Sequence, residues 1–457
     1  MARKKRQLMA SVVVLTCAAS LVLTGCGSTN DNASNNGASN ASGNTSGNAG
    51  ASNSGESSGK VTKITFWHPF GGATEKAAMD EGVKMFNETH KDIQVKAEFI
   101  GGSGQGNGIT DKLTVAINGS NPPDVVVFDR FMVQQWASEG LFEELTENAQ
   151  ANGVTADQFY DFSWKEASVG DKLYAMPFTT DDRALFYNKT LFKEAGLDPE
   201  KPPTTIAELD EYAEKLTKKN GSRYDTLGFI PWMGQGGVLT WGWAFGGKYQ
   251  DPATGKITAN DPAIVKALQW EQGYAAKYDA KKVGDFATAV GGDINPFAAG
   301  KVGMIVGGSW EIGQYKDVKG LDYGVAPLPS QTGTDPTTWA GGWSFIVPKG
   351  AKNKDAAFEF AKFMTMEDGA KNYAEKTGWF ICQKDMNAQL SWVQSEPRYK
   401  TFIDMFPTAY ARPIIKKGQF FFDQLNAAQD KALNSKGDAQ KLLDDVTNKT
   451  NAELEKK

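Results

Sequence analysis

Cysteine and histidine are nearly absent. The 457 residues hold three Cys and two His. Cys17 and Cys26 fall near the start and Cys382 stands alone, so no intramolecular disulfide is expected. Two His far from each other and from Cys382 make a poor ligand set, and no metal or other cofactor is expected. Neither His68 nor His90 lies beside a nucleophile motif, and G-x-S-x-G is missing. A basic excess is missing too. The net charge of −5 suits nucleic acid poorly, and no nucleic-acid partner is expected. The apolar run at 8–23 is shorter than the roughly 20 residues that a membrane span needs. "GGSGQGNG" (101–108) fails G-x-G-x-x-G in every register, and no Lys-Ser/Thr pair follows it. It reads either as a tight turn presenting backbone N–H groups or as a plain loop. "DPATGKITAND" (251–261) lacks the D-x-D-x-D-G pattern of a calcium loop and reads as a surface turn. A glycosidase needs only two carboxylates. The 54 Asp and Glu leave that class open, although a non-enzyme is expected.

The N-terminus is organised. Arg3, Lys4, Lys5 and Arg6 precede the short apolar run, which closes on Leu23-Thr24-Gly25-Cys26. Basic head, apolar middle and small-residue end describe an export signal over 1–25. The last four residues look like a bacterial lipobox, which implies cleavage before Cys26 and acylation of its thiol. Two acyl chains anchor a protein stably where one does not. Residues 27–59 are Asn, Ser, Gly, Ala and Thr, with one Asp, one Glu and no large apolar side chain. Such a stretch cannot offset the entropy of ordering. As a flexible coil it would reach about 30–35 Å. Residues 26–59 are therefore expected to be a lipidated tether on the outer face of a Gram-positive cell membrane. The roughly 400 residues beyond it exceed one core and suggest two domains.

That body alternates strands and helices. "KITFW" (63–67) reads as a strand and 72–90 as a helix. "DIQVKAEFI" (92–100) has strict period two, 109–120 reads as a helix, and "DVVVFD" (124–129) as a strand buried on both faces. This order predicts a parallel, doubly wound α/β sheet. "KLYAMPFT", "DTLGFI", "VGMIVGG", "YGVAP" and "SFIVP" continue the strand theme. Thr205 is expected to cap a helix over "IAELDEYAEKLTKK", and the chain from Gln419 onward to be mostly helical. Ligands in such sheets sit at the carboxyl ends of the strands, where "WHPFGG" (67–72) and "DRF" (129–131) fall.

Aromatics are plentiful, with 12 Trp. Trp67, Trp232, Trp241, Trp243, Trp310, Trp343 and Trp379 lie beside Gly, Pro or polar residues rather than inside an apolar period. Aromatic faces match the C–H faces of sugar rings, and directional hydrogen bonds to hydroxyls give specificity. Arg130 and Arg183 each adjoin an Asp, so they look paired rather than held for an anion.

Six stretches carry a resemblance: "ITFWHPFGG", "PPDVVVFDRFMVQQWASEGLFEEL", "YAMPFTTDDRALFYNKTLFKEAGL", "PFAAGKVGMIVGGSW", "DYGVAPLPS" and "WAGGWSFIVPKGAKNKDAAFEFAKFM". In that order they resemble the extracellular solute-binding proteins of ABC importers, in the cluster with maltose- and glycerol-3-phosphate-binding proteins. The resemblance implies two α/β lobes (60–178 with 329–378, and 179–328 with 379–457). They would be joined by crossings near 174–185, 322–330 and 376–383, with the ligand between them. Closure would present the protein, as a monomer, to a membrane permease. Residue by residue, it implies that Asp129 and Arg130 bond sugar hydroxyls and that Asp181 is an acidic cleft residue. Trp232 and Trp310 would stack on sugar, with Trp241 and Trp343 adjacent. A charged first loop of the maltodextrin binders is replaced here by Trp67, His68 and Phe70, which would stack instead. Phe421 or Phe422 would stand in for a further stacking Trp. These departures suit an oligosaccharide other than maltodextrin, from xylan, arabinan, chitin or pectin. A glycerol phosphate ester, or a sensing role, is the alternative.

Overall fold

A computed structural model describes residues 61–101, 107–291, 295–335, 337–434 and 436–456. The export signal, Cys26 and the tether lie outside the described residues, as does most of the glycine loop.

The first half of the body follows its apolar pattern. Strands β1 (Thr62–His68) and β2 (Ile93–Phe99) pair in parallel, and β1 also pairs in parallel with β3 (Val125–Asp129). Val125 to Phe128 are buried on both faces. The helix Ala73–Thr89 turns Ala78, Met79, Val83 and Phe86 inward at helical spacing. Asp124 fixes the start of β3 by accepting from the Thr65 N–H (2.9 Å) and the Asn353 side chain (2.9 Å).

Beyond β3 the sheet departs from the parallel expectation. Strand β4 (Ala175–Asp181) runs into β5 (Arg183–Asn188) with only Asp182 between them. Later come β6 (Met304–Gly308), β7 (Tyr323–Ala326), β8 (Gly341–Ile346) and β9 (Phe380–Ile381). Strand β8 inserts antiparallel between β3 and β4, and β9 lies antiparallel on β4. The result is a mixed six-stranded sheet in the order β9-β4-β8-β3-β1-β2. The second sheet, β6-β5-β7, is antiparallel throughout. Of the nine strands in these two sheets, only β1, β2 and β3 keep the parallel arrangement, because β4 and β8 come from distant segments and no short crossover fixes their direction.

The architecture is a two-lobed α/β fold. One apolar core surrounds the six-stranded sheet and another the three-stranded sheet. A third joins the helices Val238–Ala244 and Pro262–Tyr278 to Gly418–Leu433 and Ala439–Glu455. The capped helix forms over Ile206–Leu216. Thr205 Oγ1 accepts from the Glu208 N–H (3.1 Å) and the Glu208 carboxylate accepts from the Thr205 N–H (3.2 Å), a complete capping box. "DTLGFI" yields a strand only over Arg223–Thr226; Phe229 and Ile230 are buried outside it.

Candidate functional site

The chain passes between the two sheets at Asp182, and the residues beside that passage gather from several segments. Asp181 and Arg183 point the same way by the period of a strand and form a buried ion pair. Asp181 also accepts from the Gly341 N–H (2.9 Å), and Arg183 reaches Gln235 Oε1 (3.3 Å). The Arg183 guanidinium lies 3.5 Å from the ring centre of Trp339 and 5.6 Å from that of Trp310. Such stacking holds a cation in a fixed orientation. Trp339 is itself pinned, its indole donating to Thr240 Oγ1 (2.9 Å). Trp310 opens the helix Trp310–Tyr315 directly after β6. A Cβ on Gly308 would come within 2.0 Å of its ring, so the glycine permits this placement.

Asp182, between the two, points the other way. It is wholly buried and neither carboxylate oxygen has a partner among the described residues. Burial raises its pKa well above the ordinary carboxylate value, against the pull of the Arg183 charge, and so favours the protonated form.

A second cluster lies at the end of β3. Asp129 caps the turn after it by accepting from the Phe131 N–H (2.9 Å), and takes Arg412 on the same oxygen (3.0 Å). Asp129 faces Trp343 across the β3–β8 ladder. A bulge between Gly342 and Ser344 sets the aim of Trp343. Gly342 has φ +129°, and a Cβ there would come within 2.0 Å of the Thr179 carbonyl, so only glycine fits. Phe70 meets Trp343 edge to face, with ring centres 5.2 Å apart.

The sequence-derived candidates therefore separate. Asp129, Trp343 and Phe70 come together on the six-stranded sheet. Asp181, Arg183 and Trp310 come together beside the passage. Trp232, half-buried, lies in the loop that brings Gln235 to Arg183. Arg130 and Trp241 lie inside the protein instead. Arg130 is 0% exposed. Its donors go to Glu166 (2.7 Å), the Thr179 carbonyl (2.8 Å), Cys382 Sγ (3.2 Å) and the Gly341 carbonyl (2.5 Å). Trp241 is buried with its indole on the Pro231 carbonyl (2.8 Å) and its ring against Phe229 and Trp270. Trp67 is nearly buried, bonded to Glu98 (3.1 Å), with the Lys112 ammonium 4.5 Å from its ring centre. His68 is 1% exposed among Phe66, Phe70 and Phe99. Neither of its ring nitrogens has a partner among the described residues, and burial pushes its pKa down to about 4, so it is neutral at pH 7. Phe421 is buried and Phe422 packs on Phe131.

Arg412, Trp339 and Gln235 escaped the sequence reading. "TWAGGW" (338–343) held the signal for Trp339. Nothing local marked the other two, which act on partners more than 50 residues away.

Cys382 is buried, and its thiol is pushed up to about 11 by that burial. It is protonated at neutral pH, which is inert chemistry for a thiol. Among the described residues, no group of three or more Cys, His, Asp or Glu could hold a metal ion, and no helix is long and apolar enough to cross a membrane.

The sequence model of the bacterial extracellular solute-binding protein family matches residues 71–371. The maltotriose-binding protein of Pyrococcus abyssi is 29% identical over 265 residues, 56% of this chain and 54% of that protein. The chain thus spans about half the length of that relative. The sn-glycerol-3-phosphate-binding periplasmic protein of Salmonella typhimurium is 26% identical over 335 residues, covering 70% of this chain and 74% of that one. Among solved structures, CpMnBP1 with mannotriose bound superposes with a TM-score of 0.73 at 28% identity, over 85% of this chain and 99% of that one.

Proposed function

This chain belongs to the bacterial extracellular solute-binding protein family, and on that premise we propose that it captures an oligosaccharide between its lobes and delivers it to the permease of an ABC importer. The relatives' maltotriose and mannotriose support a sugar of several units. In this reading the protein acts as a monomer without turnover. Acylated Cys26 and the tether beyond it hold it at the outer face of the cell membrane.

The lobes keep the division expected from the sequence, except that Trp379 stays with the six-stranded sheet, against whose core it packs, and the second crossing is shifted. The β4–Asp182–β5 passage supports the first crossing. The third is supported by Phe380, which packs with the core of the three-stranded sheet while Ile381 packs with the other. At the second, Ala340 still packs with the three-stranded sheet's core, which supports a passage near Gly341 rather than at the expected 322–330. Trp232, Trp310 and Trp343 stack on sugar, and Asp129, Asp181 and Arg183 hold its hydroxyls.

One observation carries the choice of ligand. Each arginine beside the passage is already neutralised, Arg183 by Asp181, Arg130 by Glu166, and Arg412 by Asp129 and Glu166, while Trp232, Trp310 and Trp343 stay half-exposed. A neutral ligand with apolar faces fits that balance. The glycerol-3-phosphate-binding relative makes a phosphate ester the second reading, but an anion would need a cation without a counter-charge.

The test is tryptophan fluorescence and thermal melting of the protein, titrated with maltotriose, mannotriose, xylotriose and sn-glycerol 3-phosphate. Saturation by one glycan is expected, with about 2.7 kcal/mol of stabilisation at 100 times Kd. Trp310→Ala should weaken that binding about tenfold or more. A response to glycerol phosphate alone would put the second reading in its place.

A further inference from the structure

The tryptophans of this protein differ in what their indole N–H groups do. Those of Trp67, Trp241, Trp270, Trp339 and Trp392 donate to acceptors inside the molecule. Those of the half-buried Trp164, Trp232, Trp310 and Trp343, and of the buried Trp136 and Trp243, find no acceptor among the described residues. Trp379 shares that second condition. It is half-buried, its N–H is unbonded among the described residues, and its ring lies nearly parallel to that of Trp310, at 23° with centres 6.3 Å apart. At that spacing two aromatic rings still attract, but they cannot be in full face contact.

The two rings come from opposite sides of the passage. Trp310 begins the helix after β6, on the three-stranded sheet. Trp379 follows the helix Asp368–Thr377 and packs against the core of the six-stranded sheet. Gly378, at φ +72°, ends that helix in the left-handed conformation that glycine adopts freely and so sets where Trp379 emerges.

We infer that Trp379 is a further ligand-contacting residue, forming with Trp310 a stacking platform split between the lobes that engages two consecutive sugar units. This rests on the sugar-binding reading above and deepens it. A single ring can cover one indole. Only a chain of two or more units can lie on both and gain from bringing them to their closed spacing, and a ligand shifts a closure equilibrium only by such a difference in affinity. Trp379 thereby makes the site select chain length.

The experiment compares wild type, Trp379→Ala and Trp379→Phe with maltotriose, mannotriose and xylotriose and with glucose, mannose and xylose, by titration calorimetry. For the trisaccharide that wild type binds, Trp379→Ala should raise Kd about tenfold or more, while the matching monosaccharide changes by less than about threefold. Trp379→Phe keeps a ring face and should recover most of the trisaccharide affinity. If Trp379→Ala weakens both equally, or leaves the trisaccharide unchanged, the inference falls while the sugar reading stands. If Trp379→Ala does not fold, Trp379→Phe decides. An unbonded ring face predicts a small change with a ring present, and a loss as large as tenfold overturns the platform. Silence of wild type toward every saccharide overturns the sugar reading and this inference together.

Discussion

Replacing Glu166 by Ala should cost about 3–5 kcal/mol of stability, the largest loss expected from any one polar substitution in this protein. Glu166 is almost wholly buried and lies between two guanidiniums. It accepts from Arg130 Nε at 2.7 Å and from Arg412 Nε at 3.4 Å. Arg412 has Asp129 as a second partner at 3.0 Å, but Arg130 has no other carboxylate within ion-pair distance among the described residues. Without Glu166 the Arg130 charge would remain in a site that water does not reach, held only by the Thr179 and Gly341 carbonyls and Cys382. An uncompensated buried charge is what makes breaking such a pair so costly, even where the intact pair contributes little net stability. Glu166→Gln keeps an acceptor for Arg130 and should lose less. Urea unfolding of the three proteins measures this directly. A loss below about 1 kcal/mol in Glu166→Ala, the size expected of an exposed pair, would mean that water reaches the site. Because Arg130 also bonds the first residue of β8, ligand affinity should fall with stability.

The second large effect concerns pH. Glu311, beside Trp310, is 5% exposed. Burial pushes its carboxyl up from 4.5 to about 7, against the opposing hydrogen bond from the Tyr315 hydroxyl at 2.6 Å. A carboxyl whose folded pKa is raised holds its proton in the native state after the unfolded chain has lost it. Between 4.5 and about 7 the native state therefore binds more protons, and stability falls as pH rises through that window. At 1.36 kcal/mol per pKa unit the loss is about 3 kcal/mol. Asp182 and Glu271, both wholly buried and both raised by burial, act in the same direction. Glu311→Gln retains an acceptor for Tyr315 but cannot ionise. It should flatten the stability profile between pH 4.5 and 7 and exceed wild type at pH 8. A variant profile parallel to that of wild type across this window would show that Glu311 is hydrated in the folded protein. The carboxylates with lowered pKa, such as Glu98, Glu208 and Glu396, have the opposite sign and lose their contribution as pH falls below the ordinary carboxylate value.

Local patterns made β1, the helix Ala73–Thr89 and β3 legible, because each depends on its own periodicity. The direction of β8 did not follow, because it pairs with β3 and β4 from more than 150 residues away. The same divide runs through the site. Arg183 reads as paired with a neighbouring Asp, and its partner Asp181 is indeed two residues away. Arg130 also adjoins an Asp, but its counter-charge is Glu166, 36 residues on, and that distant partner draws it inside. Trp241 and Trp310 have equally loop-like neighbours in sequence. They part only in space, where Trp241 finds the Pro231 carbonyl and the rings of Phe229 and Trp270, and Trp310 finds no acceptor among the described residues. Tryptophan-rich sequence shows that aromatic surface is available. Which rings remain open is settled by tertiary packing and not by the indole acceptor alone, since Trp243 has no acceptor among the described residues and is buried against Tyr249 and Tyr410.

Cys382 is the one cysteine between residues 61 and 456. Its sulfur sits where β9 meets β4, in contact with Arg130 and the Thr179 carbonyl. A protonated thiol sealed in this place reacts with nothing until the surrounding strands separate, and exchange through such openings reports the free energy of the opening itself. The fold thus carries its own clock. Each event that parts the strands at the passage exposes one thiol, and the rate at which an alkylating reagent consumes it counts those events. A ligand that holds the two halves together would slow the clock without touching the sulfur.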